Sequence, residues 1–148
     1  MRLQEIMSRD VETVRPDEPA ARAYEIMRFR RIRHLVVVER SNVVGIVSDR
    51  DLGGPRGASL RKDRRVHELM TPQVVSAKLR TTVKQAANLL RGRNLGCLPI
   101  LEDGKLRGIV TTSDLLELLG RGLERPVVRA RRWTLRHRGV RPRSAAAR

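Results

Sequence analysis

Two short stretches carry residue types that could grip a sugar and a phosphate. One is Gly45-Ile46-Val47-Ser48-Asp49-Arg50-Asp51; the other, 63 residues later, is Gly108-Ile109-Val110-Thr111-Thr112-Ser113-Asp114. In each, the glycine (Gly45, Gly108) lets a flat ring lie close to the backbone. A hydroxyl (Ser48, Thr111) follows at the end of the apolar run, within reach of a phosphate or sugar oxygen. Three residues further, a carboxylate (Asp51, Asp114) can accept from both hydroxyls of a ribose. The same pattern is also a capping box, in which hydroxyl and carboxylate satisfy the first amides of a helix. The two roles can coexist. Because the stretches are duplicates, Asp51 and Asp114 read as two equivalent binding sites rather than one catalytic dyad, so no catalytic residue and no enzyme are expected. Other chemistry finds no footing. His34, His67, His137 and Cys97 lack metal-ligand spacing, and there is no phosphate-binding loop or nucleophile elbow. No metal and no required cofactor are expected.

The elements that must hold these residues are themselves duplicated. A shift of 63 residues aligns 4–52 with 67–115 without a gap, and 13 of the 49 pairs are identical, among them Met7/Met70, Val11/Val74, Ala23/Ala86, Leu35/Leu98 and the Gly-Ile-Val triplets. A repeat this short buries its apolar face poorly alone, so two copies should pack together. Each begins with a short strand ("DVETV", "QVVSA"). A helix follows, with Ala20, Ala23, Ile26 and Met27 on one face, or Val83, Ala86, Leu89 and Leu90. Next come "HLVVVE" and "CLPILE", runs of buried-strand type. In the second copy "EDGK" makes an Asp-Gly hairpin turn, where the first has "ERSN". The return strand leads to a last helix beginning near Asp51 or Asp114. Residues 1–57 are expected to form the first repeat, 58–66 a basic linker, 67–120 the second repeat and 121–148 an Arg-rich tail.

With these features the chain resembles a tandem pair of cystathionine β-synthase (CBS) domains, a Bateman module, over about residues 3–120. The resemblance rests on the duplicated Met7-Ser8 and Met70-Thr71, on the two matching helices, and on the closing Gly-apolar-apolar-Ser/Thr-x-x-Asp of each copy. It implies a mixed α/β (α+β) fold of two β-α-β-β-α repeats packed with pseudo-twofold symmetry around a central cleft. It implies a regulatory module that binds an adenosine-containing ligand (AMP, ADP, ATP or S-adenosylmethionine) and pairs into a homodimer. The module would pass its state to an effector protein; no effector domain is legible, so it would stand alone. By the family pattern each site borrows strand edges from the other copy. Ser48 and Asp51 would then face Val74, Ser76 and the backbone around Cys97. Thr111 and Asp114 would face Val11, Thr13 and the region of Arg33 and His34, which would make the second site the more welcoming to phosphate.

Composition bounds the rest. The core must be aliphatic, since aromatics are 2% of 148 residues. No apolar run approaches the ~18 residues of a membrane helix, "MRLQEIMSRD" lacks the apolar stretch of a signal peptide, and one cysteine suits a reducing compartment. A cytoplasmic, membrane-free setting is expected. The net charge of +16 is uneven: residues 121–148 carry +9, with ten Arg and one Glu. That tail, with Trp133, supports an alternative function: a nucleic-acid-associated protein using the paired repeats as a dimerisation scaffold.

Overall fold

The structure is a computed structural model and describes residues 1–122. Its regular elements are β1 (Thr13–Val14), α1 (Ala20–Arg30), β2 (His34–Glu39), β3 (Asn42–Ser48), α2 (Ala58–Arg61), α3 (Val66–Leu69), α4 (Val83–Gly92), β4 (Cys97–Glu102), β5 (Lys105–Thr111) and α5 (Thr112–Arg121). This is the expected mixed α/β pair of repeats.

Each apolar run folds back on its partner as an antiparallel hairpin. His34 lies opposite Ser48 and Cys97 opposite Thr111, with a register shift at the same place in both copies, between Val37 and Val38 and between Ile100 and Leu101. Both turns have two left-handed residues. Asp103 and Gly104 (φ 53° and 79°) do this readily; Arg40 and Ser41 (φ 52° and 70°) make the same turn without glycine.

The expected first strands are shorter than the sequence suggests. Residues 10–14 yield only the two-residue β1, parallel to β2 with Thr13 opposite Val36. Residues 73–77 yield a single bridge, Ala77 opposite Ile100. Pro99 explains the difference. In the first copy the Val36 amide donates to the Glu12 carbonyl at 3.3 Å. The equivalent bond to Val75 would need an amide on Pro99, which has none.

The copies diverge after the Asp. In the second, α5 starts at Thr112 as expected. In the first, no helix begins near Asp51: Gly53 (φ 88°) and Gly54 (φ 64°) turn the chain away into a 3-10 turn over Gly54–Arg56. The expected linker is not a loose one either. It contains α2, whose Arg61 is 8% exposed. One Arg61 nitrogen donates to the Leu52 and Gly54 carbonyls, both at 2.7 Å, and the guanidinium lies 3.8 Å from the Tyr24 ring centre. This single side chain fastens the segment over α1.

Two cores result, and they do not follow the division of the sequence. Val14, Ala20, Ala23, Met27, Leu35, Val37, Val47 and Leu52 of the first copy enclose Val66, with Leu69 and Met70 packed alongside. Ala77, Ala86, Leu90, Leu98, Ile100 and Val110 of the second copy enclose Leu3 and Met7. The entry segments are exchanged, and backbone pairing seals the exchange. Ile46 and Thr71 bond reciprocally at 3.0 and 2.8 Å, and Ser8 and Ile109 do so at 3.0 Å each way.

Candidate functional site

Parallel β1–β2 pairing and antiparallel β2–β3 pairing gather one end of three segments. The stretch leading into β1 (Val11, Glu12), the start of β2 (His34) and the close of β3 (Ser48) lie at the same edge of the sheet, and Asp51 folds back onto it. The second copy does likewise with Val74, Cys97, Thr111 and Asp114. The two ends meet at His34, whose imidazole lies on Gly96: a β-carbon on that glycine would stand 2.7 Å from His34 Nε2.

At each end the hydroxyl and carboxylate hold one another's backbone. The Ser48 amide donates to Asp51 Oδ2 at 2.9 Å, and the Asp51 amide donates to Ser48 Oγ at 3.0 Å. The Thr111 amide donates to Asp114 Oδ2 at 2.8 Å, and the Asp114 amide donates to Thr111 Oγ1 at 3.1 Å. Among the described residues, nothing donates to Oδ1 of either aspartate. All four side chains are half-buried. In the second copy the box caps α5. In the first it persists with only turns behind it.

Burial pushes the Asp114 carboxyl above the usual carboxylate range, against the hydrogen bonds from Thr111. Burial also pushes His34 below the ordinary histidine value, opposed by Asp49 and Asp51 and reinforced by Arg33. The buried Cys97 thiol is pushed up to about 12 by desolvation, so it is an inert packing group.

The expected exchange of strand edges is corrected by the sheet pairing. Val11 and Thr13 run beside β2, in the copy that carries Ser48 and Asp51, not beside Asp114. Val74 and Ser76 precede the bridge to β4, in the copy of Thr111 and Asp114. Arg33 lies with Asp49: their side chains are 4.0 Å apart, and the Asp49 amide donates to the Arg33 carbonyl at 3.0 Å. His34 reaches the other copy, through Gly96. What crosses between copies is the segment just upstream, at Ser8 and Thr71, because a strand edge already taken by β2 or β4 leaves the far edge of β3 or β5 for the exchanged chain.

The glycines are corrected too. A β-carbon on Gly45 would lie 2.5 Å from Met70 Sδ and 3.1 Å from the Thr71 carbonyl oxygen. On Gly108 it would lie 2.5 Å from Met7 Sδ and 2.9 Å from the Ser8 carbonyl oxygen. The room they provide is filled by the exchanged methionines, not left for a ligand ring. Sequence reasoning missed this role of Met7 and Met70, although both methionine and glycine recur among the identical pairs. Ile46 and Ile109 spend their backbone groups on the same exchange.

Elsewhere, an apolar groove lies between α4 and α5, lined by Met1, Val83, Ala87, Leu115, Leu118 and Leu119. Among the described residues no three His, Cys, Asp or Glu side chains cluster as metal ligands, and no helix is long and apolar enough to cross a membrane. Trp133 and the Arg-rich tail from 123 onward lie outside the described residues.

Comparison with known proteins agrees with this architecture. A family model described as the CBS domain matches residues 3–52 and 66–121. A CBS domain-containing protein of Dictyostelium discoideum is 33% identical over 135 residues, covering 82% of this chain and 93% of that protein. An inosine-5′-monophosphate dehydrogenase of Methanocaldococcus jannaschii is 34% identical over 115 residues, 76% of this chain; the chain spans only 22% of that enzyme's length. Among solved structures, a CBS domain pair in complex with 5′-methylthioadenosine and S-adenosyl-L-methionine superposes with a TM-score of 0.73 at 25% identity, covering 81% of this chain and 96% of that one.

Proposed function

The chain belongs to the CBS-domain family as a tandem pair, and from that premise we propose that it is a regulatory module that senses an adenosine-containing compound. The pair is a regulatory rather than a catalytic unit, and it is what the chain shares with the dehydrogenases. The observation that carries the reading is the box in the first copy. Ser48 and Asp51 keep the reciprocal bonds of a helix cap in front of a single turn, closed by the Leu52 amide on the Ser48 carbonyl at 3.2 Å, so the box holds the Asp51 carboxylate at the sheet edge without a full helix behind it. Each box leaves one carboxylate oxygen with no donor among the described residues, at the sheet edge that also carries the His34–Gly96 contact. A carboxylate pre-oriented by its own backbone is suited to a ribose diol. The solved pair bound to two adenosyl compounds supports the same ligand class.

Signalling would be a population shift. A ligand touching the edge at His34 and Gly96 favours one setting of the two halves, and a partner protein reads the difference. The apolar groove between α4 and α5, beside Leu116 (62% exposed) and Leu119 (59% exposed), is the surface on which we place the second copy of a homodimer. The single cysteine, a free buried thiol, suits a cytoplasmic setting.

Calorimetric titration with AMP, ATP and S-adenosylmethionine tests the site. A charge-assisted bond to ribose is worth roughly 1.5–3 kcal/mol, so Asp51→Ala and Asp114→Ala should each weaken binding at their own site about tenfold to a hundredfold. Unchanged affinity in the double variant would remove the ribose assignment.

A further inference from the structure

The two ends are built on one plan but carry different charge, and the structure reverses the assignment that the sequence alone suggested. Around Asp51 stand Arg33, Asp49 and Arg50. Arg33 is mostly exposed, 78% at the side chain, and 4.0 Å from Asp49. Arg50 is exposed and makes no ion pair with a described residue. The positions equivalent to Arg33, His34, Asp49 and Arg50 are Gly96, Cys97, Thr112 and Ser113. Asp114 is therefore the one charged group of its set.

The start of α5 does not make up for the missing cations. The Thr112 amide donates to the Gly96 carbonyl at 3.0 Å, and its hydroxyl donates there at 3.3 Å. The Thr111 amide is spent on the Asp114 carboxylate and the Asp114 amide on Thr111 Oγ1. The positive end of the helix dipole thus already holds an anion. A phosphate placed beside Asp114 would meet a half-buried carboxylate, with no basic side chain at the four positions that carry Arg33, His34, Asp49 and Arg50 in the first copy, an arrangement that disfavours it. Nor can the second site gain a cation at position 96, because the His34 ring fills that space.

Resting on the adenosine-binding reading above, we infer that the sites take different ligands: the Asp51 site an adenosine compound bearing a phosphate, the Asp114 site one whose 5′ substituent carries no negative charge. Arg33 and Arg50 are the residues that set the first preference. Thr112 and Ser113, neutral and small, set the second. One chain would then report on two chemically distinct adenosine compounds at once.

The test compares AMP with adenosine, which differ only in the phosphate, by calorimetric titration of the full chain at moderate salt. The expected result is one equivalent of each bound with preference for different sites. Asp51→Asn should weaken AMP binding about tenfold or more while adenosine binding persists, and Asp114→Asn should do the converse. Arg50→Ala, an exposed change, should weaken AMP alone. Ser113→Arg, also exposed, should confer a second AMP equivalent that Asp114→Asn abolishes. If both ligands are lost with the same aspartate, or if Ser113→Arg leaves AMP stoichiometry unchanged, the division of ligands is wrong although adenosine binding stands. If neither compound binds saturably to the wild-type chain, the adenosine reading itself falls.

Discussion

The first and second copies share a hairpin register down to the position of the bulge, yet they leave their Ser/Thr-x-x-Asp boxes in opposite ways. The second continues as α5, with Thr111 and Asp114 as its cap. The first turns on Gly53 and Gly54 and is closed by α2 and the buried Arg61. A helix and a glycine-rich turn thus serve the same box. The comparison teaches that the box's reciprocal bonds form with or without a full helix behind them, so the element that follows can differ so long as the core beneath stays covered.

The largest expected effect tests how the first copy does without its helix. Arg61→Ala removes two short hydrogen bonds to the Leu52 and Gly54 carbonyls and the stacking on Tyr24. Loss of about 3 kcal/mol of unfolding free energy is expected, measured by urea denaturation. A loss under about 0.5 kcal/mol would mean that the glycine turn holds itself.

Next comes the exchange. Met70→Ala should cost about 2 kcal/mol, and so should Met7→Ala, but with opposite geography. Amide hydrogen exchange should accelerate around Gly45–Val47 for Met70→Ala and around Gly108–Val110 for Met7→Ala, since each methionine packs on the glycine of the other copy. Acceleration confined to the copy that donates the methionine would contradict the exchange.

A third test uses His34, which the second copy replaces with Cys97. Its folded-state value is lowered by burial, so the unfolded chain takes up a proton first as the pH falls. Stability should therefore be full above the ordinary histidine value near 6.5 and decline on acidification through it, until the folded form also protonates. His34→Gln should flatten this part of the pH profile of the thermal midpoint. A slope identical in the variant would assign it to other groups.

The smallest effect contrasts two glycines. A β-carbon on Gly57 would lie 2.5 Å from Gly53 Cα, whereas Gly120 in α5 has open space around it. Gly120→Ala should raise stability by roughly 0.5–1 kcal/mol, the helix-propensity difference, while Gly57→Ala lowers it. A destabilising Gly120→Ala, seen as a lower thermal midpoint, would point to a contact at the α5 surface such as the proposed dimer face.

Much of this was legible because its causes are local. Alternating apolar runs, Asp103-Gly104 between strands, and Ala23 and Met27 or Ala86 and Leu90 on one helical face depend only on neighbours a few residues away. The duplication made the two Ser/Thr-x-x-Asp boxes stand out, and their internal bonds span three residues. Other features depend on a single remote partner. The lost bond at Pro99 shortens a strand whose own residues give no hint of it. Arg61 reads as one more surface charge until Tyr24 and two carbonyls surround it.

By itself, then, the amino-acid sequence determined the repeat, the hairpins, the helices with one apolar face and the residues of the two boxes, since short-range periodicity and turn chemistry encode them. Only the tertiary structure decided which copy each segment serves. Leu3 and Met7 complete the second core, Val66 and Met70 the first, and Val11, Thr13, Arg33 and His34 stand with Asp51. The repeats are alike enough that either partner would satisfy the hydrophobic pattern. The choice falls to strand edges: β2 and β4 take one side of each hairpin, and the exchanged entry must pair with the other.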